Sequence, residues 1–181
     1  MTTYNRNIHH RRSIRLRGYD YSKAGAYFIT ICCEAKKCLF GKVVDGEMQL
    51  NEFGIIAYNE WAKLTEPFTN FELDVFQIMP NHIHGIIVLK IPGVGEGFTP
   101  APVTHTIGTI VGTYKSLVAR ACLKLYESGY LKAGQTPPKM GKLWQRNYYE
   151  HIIRHEQSYQ TIVNYIIENP IKWHDDSLYM P

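Results

Sequence analysis

The stretch from residue 77 to residue 90, QIMPNHIHGIIVLK, constrains the fold more than any other part of the chain. Aliphatic and β-branched residues surround two histidines that stand one residue apart, and such a run is typical of a β-strand. Pro80 and Asn81 predict a turn or a bent start of the strand just before the histidines. Because side chains two residues apart on a strand point to the same face, His82 and His84 are expected to project together.

The histidine pair has two interpretations. Two imidazoles side by side cannot both be buried and charged without a large desolvation cost, but both can bind one metal ion as neutral ligands. The alternative is a pair of hydrogen-bonded histidines packed under a helix. Within a strand that otherwise carries Val and Ile, the pattern favours the metal. Two ligands do not complete a metal site, so a third is expected elsewhere in the chain.

The remaining pattern predicts an α+β fold with an antiparallel sheet and helices on one face of it. Strands are predicted over residues 26–34, 39–44 and 47–51, around the histidines, and within 143–154; helices are predicted over 52–64, from Thr106 onward, and over about 156–169. Pro170 ends the last helix. A length of 181 residues fits one domain, which we place at residues 26–181, with a basic arm at 1–25 and a Gly/Pro-rich loop at 91–105.

Charge and cysteine usage narrow the class of protein. The net charge is +4, and residues 6–17 hold five arginines without an acidic residue, which is typical either of a solvated arm or of one that contacts phosphates. No apolar run reaches the length of about eighteen residues that a transmembrane helix needs. The first residues lack the apolar core of a secretory signal, and the four cysteines form no disulfide pattern. We therefore expect a cytoplasmic protein with free thiols.

The last predicted helix offers a phenol and an amide for the histidine pair. Tyr165 and Asn169 are four residues apart and therefore share one edge of that helix. If the helix packs over the histidine strand, Asn169 could complete a metal site and Tyr165 could lie beside it. The alternative is a tyrosine at the helix rim and an ordinary helix-terminal asparagine before a proline.

Three blocks of sequence carry a family resemblance. In chain order, MPNHIHGIIVL, LWQRNYYEHIIR and VNYIIENPIKW resemble the REP-associated tyrosine transposases, a branch of the single-tyrosine HUH transposases close to the insertion-sequence-200-like enzymes. The similarity extends from GAYFIT to NPIKW. It implies a ferredoxin-like antiparallel sheet with helices packed on it, the HUH nuclease or RRM-like fold. By position it implies that His82 and His84 bind the metal, that Tyr165 is the nucleophile and that Asn169 is the third ligand.

The resemblance also implies a reaction and a partner. The expected reaction is metal-dependent nicking and joining of single-stranded or hairpin DNA through a 5′-phosphotyrosine, with Mg²⁺ or Mn²⁺ as the ion. Tyr148 and Tyr149 are rival nucleophiles that rank second, because they lie in a strand-like segment without an asparagine one turn later. The implied location is the nucleoid of a prokaryotic cell. A homodimer remains open, because the family includes dimers and monomers.

Two other functions remain open. One is a DNA-hairpin-binding regulator with little or no catalytic activity, and the other is a metallohydrolase of small phosphodiesters in which Tyr165 is only structural. For either DNA-dependent function, basic and aromatic side chains are the expected contacts. The predicted contacts are Arg11, Arg12, Arg15 and Arg17 of the arm, Lys115 and Arg120 of the long helix, and the segment Trp144, Gln145 and Arg146. For Trp144, core packing is the competing interpretation.

Overall fold

A computed structural model of the protein describes residues 23–66, 70–90 and 105–180. Its strands are β1 (Gly25–Cys32), β2 (Gly41–Val44), β3 (Glu47–Leu50), β4 (Phe71–Ile78), β5 (His82–Leu89) and β6 (Tyr149–Ile153). Its α-helices are α1 (Glu52–Ala62), α2 (Ile107–Lys132) and α3 (Glu156–Glu168), with short 3₁₀ helices at Glu34–Lys36 and Trp173–Asp175. The predicted basic arm at 1–25 and the predicted loop at 91–105 lie almost entirely outside the described residues.

Four strands form one antiparallel sheet in the order β4-β5-β1-β6. Strands β2 and β3 form a separate antiparallel hairpin. In the sheet, Thr30 of β1 lies opposite His84 and Cys32 lies opposite His82. The predicted α+β fold with an antiparallel sheet is therefore confirmed, and the histidine run is a central strand.

One face of the sheet carries the apolar core. Tyr27, Ile29 and Ile31 alternate along β1 toward this face and are fully buried. Helices α1 and α2 cover it, and Trp61 of α1 packs edge-on against Tyr114 of α2 with ring centroids 5.2 Å apart. The hydroxyl of Tyr114 donates a hydrogen bond of 2.8 Å to the carbonyl of Ala57, so the buried phenol is satisfied and joins the two helices.

The prediction that all helices lie on one face is wrong. Helix α3 packs across the opposite face, where the Tyr165 ring lies 5.1 Å from the His84 ring. The physical reason is visible in β5, because seven of its eight residues are buried and the strand must be covered on both sides. The helices predicted around Trp61, Tyr114 and Tyr165 all exist, but they enclose the sheet from two directions.

Two smaller features follow from the described residues. All four cysteines, at positions 32, 33, 38 and 122, are free, as predicted. Within the described ranges, none of the helices combines the length and the hydropathy required to traverse a lipid bilayer.

The close packing of β5 against α1 gives a test of the fold. A Cβ atom added at Gly85 would lie 2.6 and 2.8 Å from two atoms of the Trp61 ring, whereas one added at Gly112 would meet nothing within 4 Å. We expect Gly85→Ala to lower the free energy of unfolding by about 1–3 kcal/mol through overpacking. Gly112→Ala, in a solvent-facing helix position, should raise it by about 1 kcal/mol. Urea denaturation measures both changes, and equal effects of the two substitutions would contradict this packing.

Candidate metal and nucleophile site

His82 and His84 lie side by side on the sheet face that α3 covers. Their ring centroids are 4.4 Å apart, and their residues are 0% and 2% exposed. The strand alternation that places them on one face is the one that the sequence predicts. The two imidazoles therefore share a buried space between the sheet and α3.

Neighbouring polar groups hold the two rings in a defined orientation. The Asn81 amide nitrogen donates to the carbonyls of Lys36 and Leu178, at 3.1 and 2.8 Å, so its oxygen faces His82. Nδ1–H of His82 donates to that oxygen at 2.8 Å, and this tautomer leaves a lone pair on Nε2. Nε2 of His82 is buried and has no hydrogen-bond partner among the described residues. Such a buried lone pair is suited to binding a cation.

His84 has a similar arrangement. Its Nδ1 lies 2.8 Å from the hydroxyl of Thr30, whose oxygen can accept a hydrogen bond from the ring N–H. Its Nε2 lies 3.2 Å from the hydroxyl of Tyr165. Both imidazoles thus turn Nε2 toward the same space, with Asn81 and Thr30 holding the opposite nitrogen.

Helix α3 brings the predicted phenol and amide to this space. The Tyr165 hydroxyl lies 3.2 Å from a carboxylate oxygen of Asp176 as well as 3.2 Å from His84. Tyr165 is 42% exposed, so the phenol lies at the mouth of the site. Asn169 is buried; its Nδ2 donates to Asp176 at 2.8 Å, and its Oδ1 has no partner among the described residues. The structure therefore brings together all four residues that the sequence placed in one site.

Asp176 is a residue of this site that sequence reasoning missed. After α3 ends, the short helix Trp173–Asp175 turns the chain back toward the sheet. Ligand atoms of His82, His84 and Asp176 all lie within 4.8 Å of one another. The only available signal was the acidic pair Asp175-Asp176 after the last helix, and its spacing alone does not indicate which carboxylate points inward.

The electrostatics favour neutral imidazoles next to an ionised carboxylate. Burial lowers the pKa of His82 to about 4, against the opposing attraction of Asp176. Burial and the neighbouring His82 lower the pKa of His84 well below its usual value. Burial would raise the pKa of Asp176, but hydrogen bonds from Asn169 and from the Leu178 amide outweigh it and lower that pKa. At neutral pH the site therefore offers two nitrogen lone pairs and one negative charge.

The pKa of Tyr165 is raised, whereas those of the two histidines and of Asp176 are lowered. Burial and the negative charge of Asp176 raise its pKa to about 12, so the phenol keeps its proton at neutral pH when no cation is near. A nearby positive charge would favour the phenolate instead. The donor set suits a divalent cation, because it combines imidazole nitrogen with carboxylate and amide oxygen. Two of its buried atoms, Nε2 of His82 and Oδ1 of Asn169, have no hydrogen-bond partner among the residues that the structure describes.

The predicted DNA contacts are only partly accessible. Arg11, Arg12, Arg15 and Arg17 lie outside the described residues, while Arg120 and Arg146 are exposed. Trp144 is only 8% exposed; its ring packs on Phe40, and its Nε1–H donates to the Lys115 carbonyl. Core packing therefore leaves no open indole face for a base, and we do not retain Trp144 as a DNA contact.

Lys115 and Gln145 have structural contacts of their own. The Lys115 ammonium donates to the backbone carbonyls of Gln145, Arg146 and Asn147, and burial lowers its pKa. The backbone amide of Gln145 donates to the Cys32 carbonyl at 3.0 Å, and its side chain is half-buried. In the described structure, Lys115 stabilises the loop before β6.

The rival tyrosines lie farther from the histidines. Tyr149 is in β6 opposite Thr30, on the same sheet face as His84 but with β1 between the two strands. Tyr148 precedes β6 and packs on the apolar core. Tyr165 makes the contact with His84.

Known proteins support the sequence resemblance. The chain matches no protein-family model. An uncharacterised protein of Haemophilus influenzae is 42% identical over 179 residues, which cover 99% of this chain and 98% of that protein. A second Haemophilus influenzae protein, provisionally named a REP-associated tyrosine transposase, is 25% identical over 84% of this chain and 74% of its own length.

A solved structure extends the likeness to the fold. A REP-associated tyrosine transposase bound to a REP hairpin superposes with a TM-score of 0.57 at 21% identity, over 88% of this chain and 73% of that chain. The fold is thus that of a transposase of this class. The chain belongs to the same family as the 42% identical Haemophilus influenzae protein, and the predicted resemblance to REP-associated tyrosine transposases is confirmed.

The neutral, buried histidines give a pH test. The pKa of His82 is about 4 in the folded protein, and an unfolded histidine titrates near 6.5, so the unfolded chain binds more protons between these values. Metal-free protein should lose about 2–3 kcal/mol of unfolding free energy from this group as the pH falls from about 7 to about 4.5. His82→Gln should show a shallower loss in urea titrations. Identical pH profiles for the two proteins would contradict the burial of a neutral His82.

Proposed function

We propose that this protein nicks and rejoins single-stranded or hairpin DNA in a metal-dependent transesterification, with Tyr165 as the nucleophile. The observation that carries the proposal is the position of the Tyr165 hydroxyl, 3.2 Å from both His84 and Asp176. A nucleophile beside a cluster of side chains that can bind a metal, at a partly open rim, is an arrangement suited to metal-assisted phosphoryl transfer.

The metal would be held by His82, His84 and Asp176, with the amide oxygen of Asn169 as a further donor. When bound, it would neutralise phosphate oxygens and favour the ionised form of the phenol. Carboxylate and amide oxygens suit Mg²⁺, whereas two imidazoles shift the preference toward Mn²⁺, so both ions are proposed. The buried Nε2 of His82 and Oδ1 of Asn169, which lack hydrogen-bond partners in residues 23–66, 70–90 and 105–180, support this donor set.

Tyr165 carries the covalent step. Its oxygen attacks the phosphorus, the bond from phosphorus to the 3′ oxygen breaks, and the phenol proton is ultimately carried by the released 3′-hydroxyl. The product is a 5′-phosphotyrosine, and attack by a 3′-hydroxyl reverses the reaction and joins strands without ATP. Once its Nε2 lone pair is given to the metal, His84 cannot accept a hydrogen bond, so Asp176 is the described group that would accept the hydrogen bond of the phenol and fix its direction.

DNA is the proposed partner, in the cytoplasm of a prokaryotic cell. Support comes from the structural neighbour that was solved with a REP hairpin and from the exposed Arg120 and Arg146. The four arginines of the N-terminal arm remain proposed phosphate contacts.

A covalent-adduct assay tests the nucleophile. The probe is a pool of labelled hairpin oligonucleotides with randomised single-stranded flanks, incubated with the protein and Mn²⁺. We expect a labelled protein band on a denaturing gel, because a phosphotyrosine bond survives denaturation. Tyr165→Phe should abolish the band, and the matched control Tyr149→Phe should retain it. A band that persists in Tyr165→Phe would overturn the assignment.

The same assay separates the alternative functions. Cleaved oligonucleotide without a protein band would favour a metallohydrolase that uses water. Tight hairpin binding without cleavage would favour a regulator, although the assembled tyrosine, histidine and carboxylate groups favour a catalyst. Each outcome contradicts the proposed strand-transfer activity in a recognisable way.

Asp176 provides a second test, because its neighbour is a matched control. Asp176→Asn should weaken Mn²⁺ binding by at least about tenfold, since it removes the negative charge of the site. Asp175→Asn, at an exposed position one residue earlier, should leave the affinity unchanged. Calorimetric titration of the metal-free proteins with Mn²⁺ measures both. Unchanged affinity in Asp176→Asn would show that this carboxylate only orients Tyr165.

A further inference from the structure

A cleft beside the nucleophile has no role in the reaction derived above. It lies between β6 and the first turns of α3 and has a volume of about 590 Å³, within the range of about 300–1,000 Å³ that is usual for small-molecule sites. Its lining residues are Phe28, His151, His155, Gln157, Ser158, Thr161 and Ile162. We refer to it as the β6–α3 cleft.

The cleft is continuous with the proposed active site through one aromatic ring. Phe28 lines the cleft, and its ring centroid lies 5.2 Å from that of His84 and 6.1 Å from that of Tyr165. In the sheet, Phe28 lies opposite His151, which places both side chains on the face that α3 covers. The half-buried phenyl ring is thus a shared boundary between the nucleophile and the cleft.

Helix α3 provides the second connection. Ser158, Thr161 and Ile162 line the cleft, and Tyr165 follows Ile162 and Thr161 at the i+3 and i+4 spacing that keeps residues on one side of a helix. Four residues of α-helix span about 6 Å, so the cleft borders the position where a phosphate would meet Tyr165. A nucleotide next to that phosphate could therefore place its base in the cleft.

The chemistry of the lining suits a base better than a phosphate. Among its described lining residues, the cleft has no carboxylate and no lysine or arginine. Phe28 and Ile162 provide apolar surface. The hydroxyls of Ser158 and Thr161 donate to the carbonyls of His155 and Gln157, at 2.9 Å each, which leaves their oxygen lone pairs free to accept hydrogen bonds from a base.

We propose that the β6–α3 cleft binds one unpaired nucleobase of the DNA strand, from a nucleotide that borders the phosphate attacked by Tyr165. The proposal rests on the proposed nicking function and adds a specificity site to it. Contact with the Phe28 ring would hold the base, and the polar groups of His151, His155 and Gln157 at the rim would select among bases. Base preference next to the break would then originate in this cleft.

The test uses the hairpin oligonucleotide that forms the most adduct in the randomised pool. Each nucleotide of its flank is replaced in turn by an abasic residue, and the rate of adduct formation is measured with Mn²⁺. Thr161→Trp fills the cleft from an exposed helix position that lies outside the proposed catalytic set. The matched control is Gln160→Trp, which places the same ring on an exposed position that does not line the cleft.

The expected result is a single abasic position, next to the joined phosphate, at which wild-type protein loses about tenfold or more in rate. Thr161→Trp should lower the rate on the intact oligonucleotide by a similar factor. On the oligonucleotide that lacks this base, Thr161→Trp and wild-type protein should react at nearly the same rate. Gln160→Trp should behave as wild type, and both variants should keep wild-type Mn²⁺ affinity. Equal rates at every abasic position would overturn the proposal. So would a rate loss from Thr161→Trp that is as large on the abasic oligonucleotide as on the intact one.

A binding measurement separates failure of the cleft from failure of the nicking function. Hairpins from the same pool, chosen by tight binding to the protein, carry 2-aminopurine in the flank, and its fluorescence is recorded without any need for cleavage. If no oligonucleotide forms an adduct, the nicking function is wrong. In that case, emission quenched by wild type but not by Thr161→Trp would still support the cleft as a base site. Equal emission with the two proteins would overturn it.

Discussion

The structure of the site depends on the burial of two neutral imidazoles between a β-sheet and a helix. Burial removes water from His82 and His84 and keeps both uncharged at neutral pH, so their Nε2 atoms present lone pairs to a shared space. Asn81 and Thr30 contact the opposite ring nitrogens and fix which atom faces that space. Nε2 of His82 is buried and has no hydrogen-bond partner within the described part of the chain, which hydrogen bonding of the histidine pair alone does not explain.

The position of Asn81 explains how distant parts of the chain reach one site. A single buried amide contacts His82 and also holds the carbonyls of Lys36 and Leu178, so it joins the turn after β1 and the C-terminal segment to the start of β5. The C-terminal segment carries Asp176, whose carboxylate contacts both Tyr165 and Asn169. The proposed metal ligands and the proposed nucleophile are thus linked through one hydrogen-bonded network, which a purely apolar packing of α3 would not provide.

Local pattern predicted much of this arrangement, and the missing parts depend on tertiary packing. The period of two along β5 places His82 and His84 on one face, and the four-residue spacing in α3 places Tyr165 and Asn169 on one edge. Asp176 could not be predicted in the same way, because a short 3₁₀ turn and a hydrogen bond that its carboxylate accepts from the Leu178 amide set its direction.

The contacts of Lys115 and Trp144 likewise depend on tertiary packing that the local sequence pattern does not predict. A lysine off the apolar stripe of a helix is typical of a solvent-facing position, but here its ammonium donates to the carbonyls of a loop about thirty residues later. A tryptophan next to an arginine is compatible with base stacking, but Trp144 packs between Phe40 and Tyr114. Sequence pattern indicates which side chains could bind a ligand or take part in a reaction. Long-range packing decides which of them remain accessible to a ligand.

Anomalous scattering from a crystal soaked in Mn²⁺ tests the central claim most directly, since it locates the ion without relying on activity. The account predicts one strong peak in contact with Nε2 of both His82 and His84, with the Asp176 carboxylate as the third ligand. The peak should be lost in the double variant His82→Gln/His84→Gln. Absence of a peak between these side chains in the wild-type crystal, or a peak bound only elsewhere, would contradict a metal-dependent site at this sheet face.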